Sequence, residues 1–282
     1  MAFEVASVTP SRGEVGPPSF PVNVGEAYRP TGGYFRADFA LRTYIEFAYK
    51  LPPVATLESE MFRRLPEWVT ADSYHIEARA AIRNPTKDQM RLMMQSLLAD
   101  RFKLEAHFET REMPVFALTL VKPGKLGPKL VLHAGGPPCS PADSANDAYG
   151  AYLYGGRAAK GRETRETFPP FCDSVAFMRK PGGILLLGYR NATMEMVAGS
   201  LSGAVGQGRP VIDQTGLIGR YDFTMEWTLT PNGSPDTGSA PPDTAGPTSL
   251  EALRDQLGLK VESTRGPVRI LVIDKVARPS AN

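Results

Sequence analysis

Apolar residues recur with the period of an α-helix near residues 38–51, and they alternate with polar residues over residues 74–78. The first pattern predicts an amphipathic helix capped by Asp38, and the second predicts a half-buried strand. The apolar stripe of the helix consists of Leu41, Tyr44, Ile45 and Ala48.

A second helix is predicted to begin after Thr86. Thr86 and Gln89 have the spacing of a capping box, in which each side chain accepts a hydrogen bond from the other residue's backbone N–H. The apolar face of this helix consists of Met90, Met93, Met94, Leu97 and Leu98. Residues 102–108 and 115–121 have strand patterns, and the charged segment 110–114 between them predicts the turn of a hairpin.

The same order of patterns returns about 150 residues later. Asn191 is expected to cap a helix, residues 221–227 repeat the alternation of a strand, and Thr248 with Glu251 repeats the capping box. Gly258 stands where a helix C-cap belongs. We therefore predict an internal duplication of a unit with the order strand, helix, strand, helix, strand, strand.

The predicted fold class is α+β, with mainly antiparallel sheets and helices packed on one face. The opening strands of the repeats are expected at residues 32–35 and 182–185, and an additional strand at 3–8 is expected beside the final strand, 270–276. The predicted segments are a first repeat at 1–122, a Gly/Pro-rich connection at 123–181, and a second repeat at 182–282 with a disordered loop at 230–247.

Composition and charge exclude some classes of function. The chain is 42% hydrophobic and 22% charged, and its net charge of +2 is too small to indicate a nucleic-acid partner. No apolar run reaches the roughly 18 residues of a membrane span. Met1 to Phe3 lead directly into a strand pattern, so any secretion signal has been removed or never existed. The expected location is extracytoplasmic, periplasmic or secreted, with the signal peptide absent from this sequence.

The two cysteines, Cys139 and Cys172, lie in the Gly/Pro-rich connection. A disulfide between them would stabilise the fold in an oxidising compartment, and we predict one. Two unrelated buried thiols are the alternative. Their spacing does not suit a metal site, so no metal and no cofactor is expected.

The histidines offer little recognisable chemistry. His75 and His107 lie in strand patterns and His133 in a loop, without the spacing of a metal site. His107 is the one we retain as a candidate ligand-binding residue. Residues 199–203 have leucine at the nucleophile position of a GxSxG motif. Two carboxylate pairs, Glu105 with Glu109 and Asp213 with Asp222, could flank a cleft as acid and base.

The segment 149–157 has the most unusual composition of the chain. Tyrosine combines a rigid apolar ring with a polar tip, and arginine adds directional donors, so this segment suits contact with a small molecule, a glycan or an envelope protein. A strand-like segment that covers a domain junction is the alternative. The candidate binding residues here are Tyr149, Tyr152, Tyr154 and Arg157.

Several blocks together resemble one family, domain of unknown function 3738, whose members are abundant in soil acidobacteria. The blocks are residues 3–8, 97–104, 211–217, 219–223 and 271–274. The resemblance implies a secreted protein, and it carries over no catalytic residue. The order of elements also resembles small partner-binding domains of secretins and TonB-dependent receptors, which is an analogy of fold alone.

Three hypotheses of function follow. The leading one is an extracytoplasmic ligand- or partner-binding or sensory module without catalysis. The alternative is an extracytoplasmic hydrolase of esters or glycosides, in which a carboxylate pair, or a serine with His107, works in a groove between the repeats. The third is an envelope-interaction protein that adds a partner's strand to an exposed sheet edge.

Overall fold

The computed structural model describes residues 1–13, 18–22, 28, 30–52, 54–134, 172–173, 175–206, 208–228 and 246–279. These residues form helices and mostly antiparallel strands joined by loops, so the predicted α+β class is confirmed. The chain forms two compact units: unit 1 is Met1–Met113 with Pro267–Asn282, and unit 2 is Pro114–Gly266. The segments predicted from the sequence concern repeats rather than compact units, and they stay a prediction.

The helices and strands fall into two groups along the chain. The first group is β1 (Val5–Pro10), β2 (Tyr34–Ala40), α1 (Leu41–Ala48), α2 (Ala55–Phe62), α3 (Trp68–Ala71), β3 (Ser73–Arg79), α4 (Lys87–Arg101) and β4 (Glu105–Leu120). The second group is β5 (Leu130–Leu132), β6 (Ala176–Lys180), β7 (Ile184–Ala192), α5 (Met194–Ala204), β8 (Val211–Asp213), β9 (Tyr221–Thr228), α6 (Ser249–Leu257) and β10 (Leu259–Lys275).

Strand β1 lies at the edge of a sheet with the order β1-β3-β2. Both strand pairings of this sheet are antiparallel. The prediction that it lies beside the final strand is wrong, because the neighbour of β10 is β4. The register explains the choice: Val8 and Ala37 both face Ile76, and all three side chains are buried. Pairing with β3 therefore puts the apolar position of β1 into the core of unit 1.

Both predicted hairpins are wrong, because each is one long strand, β4 or β10. No residue from Glu109 to Pro114, a range described in full, has the positive φ that a tight two-residue turn requires. In β10 the chain stays extended through Gly266, where a Cβ would lie 2.9 Å from Ile212 Cδ1. The repeated order is therefore strand, helix, strand, helix and one long strand, with further elements inserted.

The helix boundaries confirm part of the capping prediction. The side chains of Thr86 with Gln89, and of Thr248 with Glu251, form complete capping boxes at α4 and α6. Gly258 ends α6 in the left-handed conformation, with φ +69°. These shared caps agree with an internal duplication without establishing it, so the duplication stays a prediction.

Two predicted N-caps are wrong. Asp38 lies within β2, and the residue that precedes α1 is Ala40, which makes no side-chain cap. Asn191 lies within β7, and the hydroxyl of Thr193 caps α5 instead. In both cases the strand continues further than the polar residue suggested, because the residues after it still pair with a neighbouring strand.

Each unit has its own buried core. In unit 1 the predicted stripe of α1 is buried, and α1 packs on α4. In unit 2 one face of β9 packs with α5 and α6, and the apolar residues of that face are Tyr221, Phe223, Met225 and Trp227. The predicted connection 123–181 contributes two strands to this sheet, whose order is β5-β9-β7-β6.

Among the described residues, no helix is long and apolar enough to cross a membrane. Residues 135–171 of the predicted connection and 229–245 of the predicted loop lie outside the described residues.

Substitution of Gly127 by alanine is expected to destabilise unit 2. A Cβ at Gly127 would lie 2.3 Å from the Leu257 carbonyl carbon and 2.4 Å from the Gly258 nitrogen, and these backbone atoms end α6. We expect Gly127→Ala to lower the free energy of unfolding by about 3 kcal/mol, measured by chemical denaturation. The control Gly199→Ala lies in α5 with nothing within 4 Å, and it should stabilise by about 1 kcal/mol. Equal changes in the free energy of unfolding for the two variants would contradict the close approach of Gly127 to the end of α6.

The carboxylate of Glu46 predicts a pH dependence of stability. Its Oε1 is buried without a hydrogen bond to the described residues. Burial, followed by the charge of Glu58, raises its pKa to about 7. The pKa of Glu46 is therefore higher in the folded protein than in the unfolded chain. The contribution of this group to the free energy of unfolding is fully present below the unfolded pKa, and it is lost as the pH rises towards 7.

Glu46→Gln should therefore unfold at higher denaturant than the native protein at pH about 8, by up to about 3 kcal/mol, and the difference should shrink at pH about 4. The matched control Glu60→Gln replaces an exposed carboxylate of α2 and should show no such difference. A pH-independent effect of Glu46→Gln would disprove the buried ionisation.

Candidate functional site

Two non-glycine residues with positive φ contact each other in unit 2. Asn191 has φ +55° at an irregularity of β7, and Asp173 has φ +56°. The Asn191 Nδ2 donates to Asp173 Oδ1 at 3.0 Å, and the Asp173 backbone N donates to the Arg190 carbonyl at 3.0 Å. Such strained residues persist only where the surroundings fix them, and they cluster at functional sites.

The unusual backbone of Asn191 directs its N–H to the carboxylate of Asp222. That N–H donates to Asp222 Oδ1 at 2.7 Å. Both carboxylate oxygens also lie close to His133 Nδ1, at 2.8 and 2.9 Å. Asp222 therefore connects the strained turn of β7 to an imidazole that follows β5.

Arg220 completes a hydrogen-bond network that also contains His133, Asp173, Asn191 and Asp222. Its Nη1 donates to Asp173 Oδ1 at 2.6 Å and also to the Asn191 carbonyl. Its own carbonyl accepts the backbone N–H of His133 at 2.8 Å. The orientation of His133 is thus fixed at the backbone and at Nδ1.

This arrangement determines the chemistry of His133. In a neutral imidazole, a carboxylate at Nδ1 selects the tautomer that carries its proton there, and Nε2 then has the lone pair. Nε2 makes no hydrogen bond to any described residue, and 16% of the side chain is exposed. His133 can therefore accept a proton or a hydrogen bond from a bound molecule.

Three exposed apolar side chains lie on β5 and on the loop that precedes β9. Val131 pairs with Asp222 and lies on the same sheet face as His133, since side chains alternate along a strand. Val131 is 51% exposed, Leu132 58% and Ile218 92%. A Cβ at Gly219 would lie 3.3 Å from Leu132 Cδ1, which brings the Ile218 loop next to β5. Leu132 pairs with Tyr221, whose side chain enters the core, so Leu132 and the Ile218 loop lie on the opposite face of the sheet from His133. We call Leu132 and Ile218 the β5 surface.

The loop that carries Ile218 is held by hydrogen bonds. Asp213 Oδ1 accepts from the backbone N and the hydroxyl of Thr215, at 2.9 and 2.8 Å. The Tyr221 hydroxyl donates to the Ile218 carbonyl at 3.2 Å. The exposed side chain of Ile218 therefore stands on a fixed backbone. Asp213 and Asp222 bind different partners rather than each other.

His107, the histidine selected from the sequence, has a different environment in unit 1. Its Nδ1 lies 2.7 Å from Asp274 and its Nε2 lies 3.2 Å from Glu109, which also binds Arg111. The hydrogen bond to Asp274, and then that to Glu109, raises the pKa of His107. The structure therefore favours an exposed imidazolium with both nitrogens engaged.

The remaining candidates lie outside the described residues. These are Tyr149, Tyr152, Tyr154, Arg157 and Cys139. Cys172 is buried and immediately precedes Asp173 of the network. The disulfide between Cys139 and Cys172 stays a prediction. The described residues hold no group of three or more side chains that suits a metal ion.

Sequence reasoning missed His133 because its partners are distant in the chain. Asp222 is 89 residues away, and Asn191 was assigned to a helix cap. One signal was available: Asp222 lies at a polar position in the alternation of β9, directly between two core residues. That position places it on the opposite face of the sheet from the core.

A family model matches residues 42–276, and its description is protein of unknown function, DUF3738. The chain belongs to the DUF3738 family. The resemblance found in the sequence blocks is therefore confirmed, and every residue of the β5 surface lies within the matched range of this DUF3738 protein. No curated protein and no solved structure matches the chain.

The environment of His107 gives a direct test of its charge. We expect an NMR titration to give a His107 pKa above the ordinary histidine value, and Asp274→Asn to lower it, because the largest cause of the shift is that hydrogen bond. The charged form should be lost only as the pH rises through this raised pKa. Glu105→Gln is the control, since Glu105 binds Lys275 instead. An ordinary pKa in the native protein would contradict the geometry.

Proposed function

We propose that this DUF3738 protein is an extracytoplasmic binding module, and that the β5 surface binds a ligand or partner segment with an apolar part. The observation that carries the proposal is the exposure of Leu132 and Ile218, at 58% and 92%, on backbone that hydrogen bonds hold in place. Grouped large apolar side chains with such exposure are typical of interaction surfaces.

The hydrogen-bond network supports binding because it fixes the surface in advance. Asp213 and Tyr221 hold the loop of Ile218, and Arg220 holds the backbone of His133. A surface that is already ordered loses little conformational entropy when a ligand binds, so more of the contact energy contributes to affinity.

The environment of His107 weakens the hydrolase alternative in its original form. A general base needs a lone pair directed at the substrate. Both nitrogens of His107 lie within hydrogen-bond distance of carboxylates, and the raised pKa favours the charged form. His107 is therefore a poor base, and the hydrolase hypothesis is better supported by His133.

The extracytoplasmic location is part of the proposal. The predicted disulfide between Cys139 and Cys172 supports it, because such bonds persist in oxidising compartments. A small molecule, a glycan or an envelope protein with an apolar part remains the proposed class of partner, and the exposed side chains favour the apolar end of that range.

The test uses the fluorescent dye 1-anilinonaphthalene-8-sulfonate as an apolar probe. We expect the native protein to bind it, and the double variant Leu132→Asp with Ile218→Asp to bind it about 100-fold more weakly, since each of the two lost apolar contacts contributes about 1.5 kcal/mol. Displacement by decanoate or by a capped Val-Thr repeat peptide would indicate an acyl ligand or a partner strand.

Val5→Asp is the matched control for the added charge. Val5 is an apolar residue of β1 in unit 1, and it is 67% exposed. This variant should bind the dye as the native protein does. Equal binding by the double variant, or an equal loss with Val5→Asp, would contradict the proposed surface.

A further inference from the structure

We infer that the outer edge of β5 accepts an extended peptide segment of a partner protein, which adds to the sheet as an antiparallel strand. The inference rests on the proposed binding at the β5 surface and names the kind of partner. The observation behind it is the backbone of Leu132, whose N–H and C=O have no hydrogen-bond partner among the described residues.

The pairing of β5 with β9 determines where these two groups point. In an antiparallel pair, residues that bond to the neighbouring strand alternate with residues whose N–H and C=O point away from it. The His133 N–H donates to the Arg220 carbonyl, so this pair is a bonded one. Val131, two residues earlier, then also bonds to β9, and Leu132 between them does not. Because β5 is the last strand of its sheet, Leu132 directs both groups to the open edge.

Other residues occupy the outward backbone groups at further strand edges. In unit 1, Ser19 binds both groups of Arg36 on β2: its Oγ accepts the N–H at 2.7 Å, and its backbone N donates to the C=O at 2.8 Å. In unit 2, the side-chain amide of Gln256 binds the N–H and the C=O of Glu226 on β9, at 3.1 and 2.7 Å. In the described part of the chain, nothing covers Leu132 in this way. Natural proteins usually cover such edges, and an open edge is where another strand adds.

Apolar side chains flank the edge on both faces of the sheet. Leu132 and Ile218 lie on one face and Val131 lies on the other, and all three side chains are exposed. Side chains of an added strand also alternate between the two faces. Apolar residues of the partner segment would therefore contact Leu132 on one face and Val131 on the other.

The charge next to β5 defines the partner further. Residues 122–132 contain three lysines and no acidic residue, and Lys129, the nearest to β5, is exposed. The hydrogen bond from Lys180, at 2.6 Å, and then the charges of Lys180 and Lys129 lower the pKa of Glu226, so this carboxylate is already paired. An antiparallel partner has its carboxyl end beside Lys129, where acidic residues give complementary charge.

A second copy of the chain is the competing occupant of the edge. Strand β5 has three residues, so pairing of two copies along it would bury much less than the roughly 1,200 Å² of a specific protein interface. A short segment suits the edge better, because the flanking side chains and the backbone groups are already in place.

The experiment measures binding of a fluorescent peptide to the full chain by fluorescence anisotropy. The probe is a capped Val-Thr repeat that ends in Glu-Glu. We expect it to bind, and the same peptide with a methyl group on every amide nitrogen to bind about 30-fold more weakly, because the methyl groups prevent both hydrogen bonds with Leu132. A probe that ends in Lys-Lys should also bind more weakly. Equal binding of the Glu-Glu and Lys-Lys probes would overturn the acidic character of the partner.

The variant Leu132→Pro, compared with Leu132→Ala, separates the backbone from the side chain. Both variants lack the leucine side chain, and proline also lacks the N–H. A strand edge tolerates proline where the N–H faces solvent. We expect Leu132→Pro to bind the probe about fivefold more weakly than Leu132→Ala, since one further hydrogen bond is lost.

Failure of this inference is distinguishable from failure of the proposed function. Equal binding of the methylated and unmodified probes, in a protein whose dye binding depends on Leu132 and Ile218, overturns only the inference. Dye binding that does not depend on those residues contradicts the proposed surface. A dimer in sedimentation experiments that Leu132→Pro disrupts would assign the edge to a second copy, and it would also overturn the inference.

Discussion

The arrangement of unit 2 depends on burial of one face of β9. Tyr221, Phe223, Met225 and Trp227 alternate along this strand and all enter the core. A shift of one residue would turn the whole apolar set to solvent, so the register is strongly fixed. Because Asp222 lies between two of these residues, the same constraint holds its carboxylate on the opposite face, where Val131 is its cross-strand neighbour.

The charged and polar residues divide into two kinds of environment. In unit 1, His107 is surrounded by exposed carboxylates whose interactions water screens, so its ion pairs define a charge rather than a rigid geometry. In unit 2, His133 and Asp222 are more enclosed: the Asn191 N–H donates to Asp222, and the His133 N–H donates to the Arg220 carbonyl. An enclosed environment such as that of His133 suits a side chain that needs a defined orientation better than an exposed one does.

Sequence patterns predicted those parts of the fold that depend on interactions between residues close together in the chain. The capping boxes of α4 and α6 and the stripe of α1 follow from neighbours in sequence. The continuous strands β4 and β10 did not, because whether a charged segment turns or stays extended depends on the strand beside it. The contacts of Asp222 with His133 and Asn191 were unpredictable for the same reason, since these residues meet only through strand pairing.

The path of the chain through the two units has a consequence for the order of folding. Unit 2 is one continuous stretch, Pro114–Gly266, whereas unit 1 combines Met1–Met113 with Pro267–Asn282. During synthesis from the amino end, the ribosome therefore releases every residue of unit 2 before the last strand of unit 1. Unit 1 is complete only after residues 267–275 have been made, so a chain truncated before them would leave unit 1 without its half of β10 while unit 2 kept its full sequence.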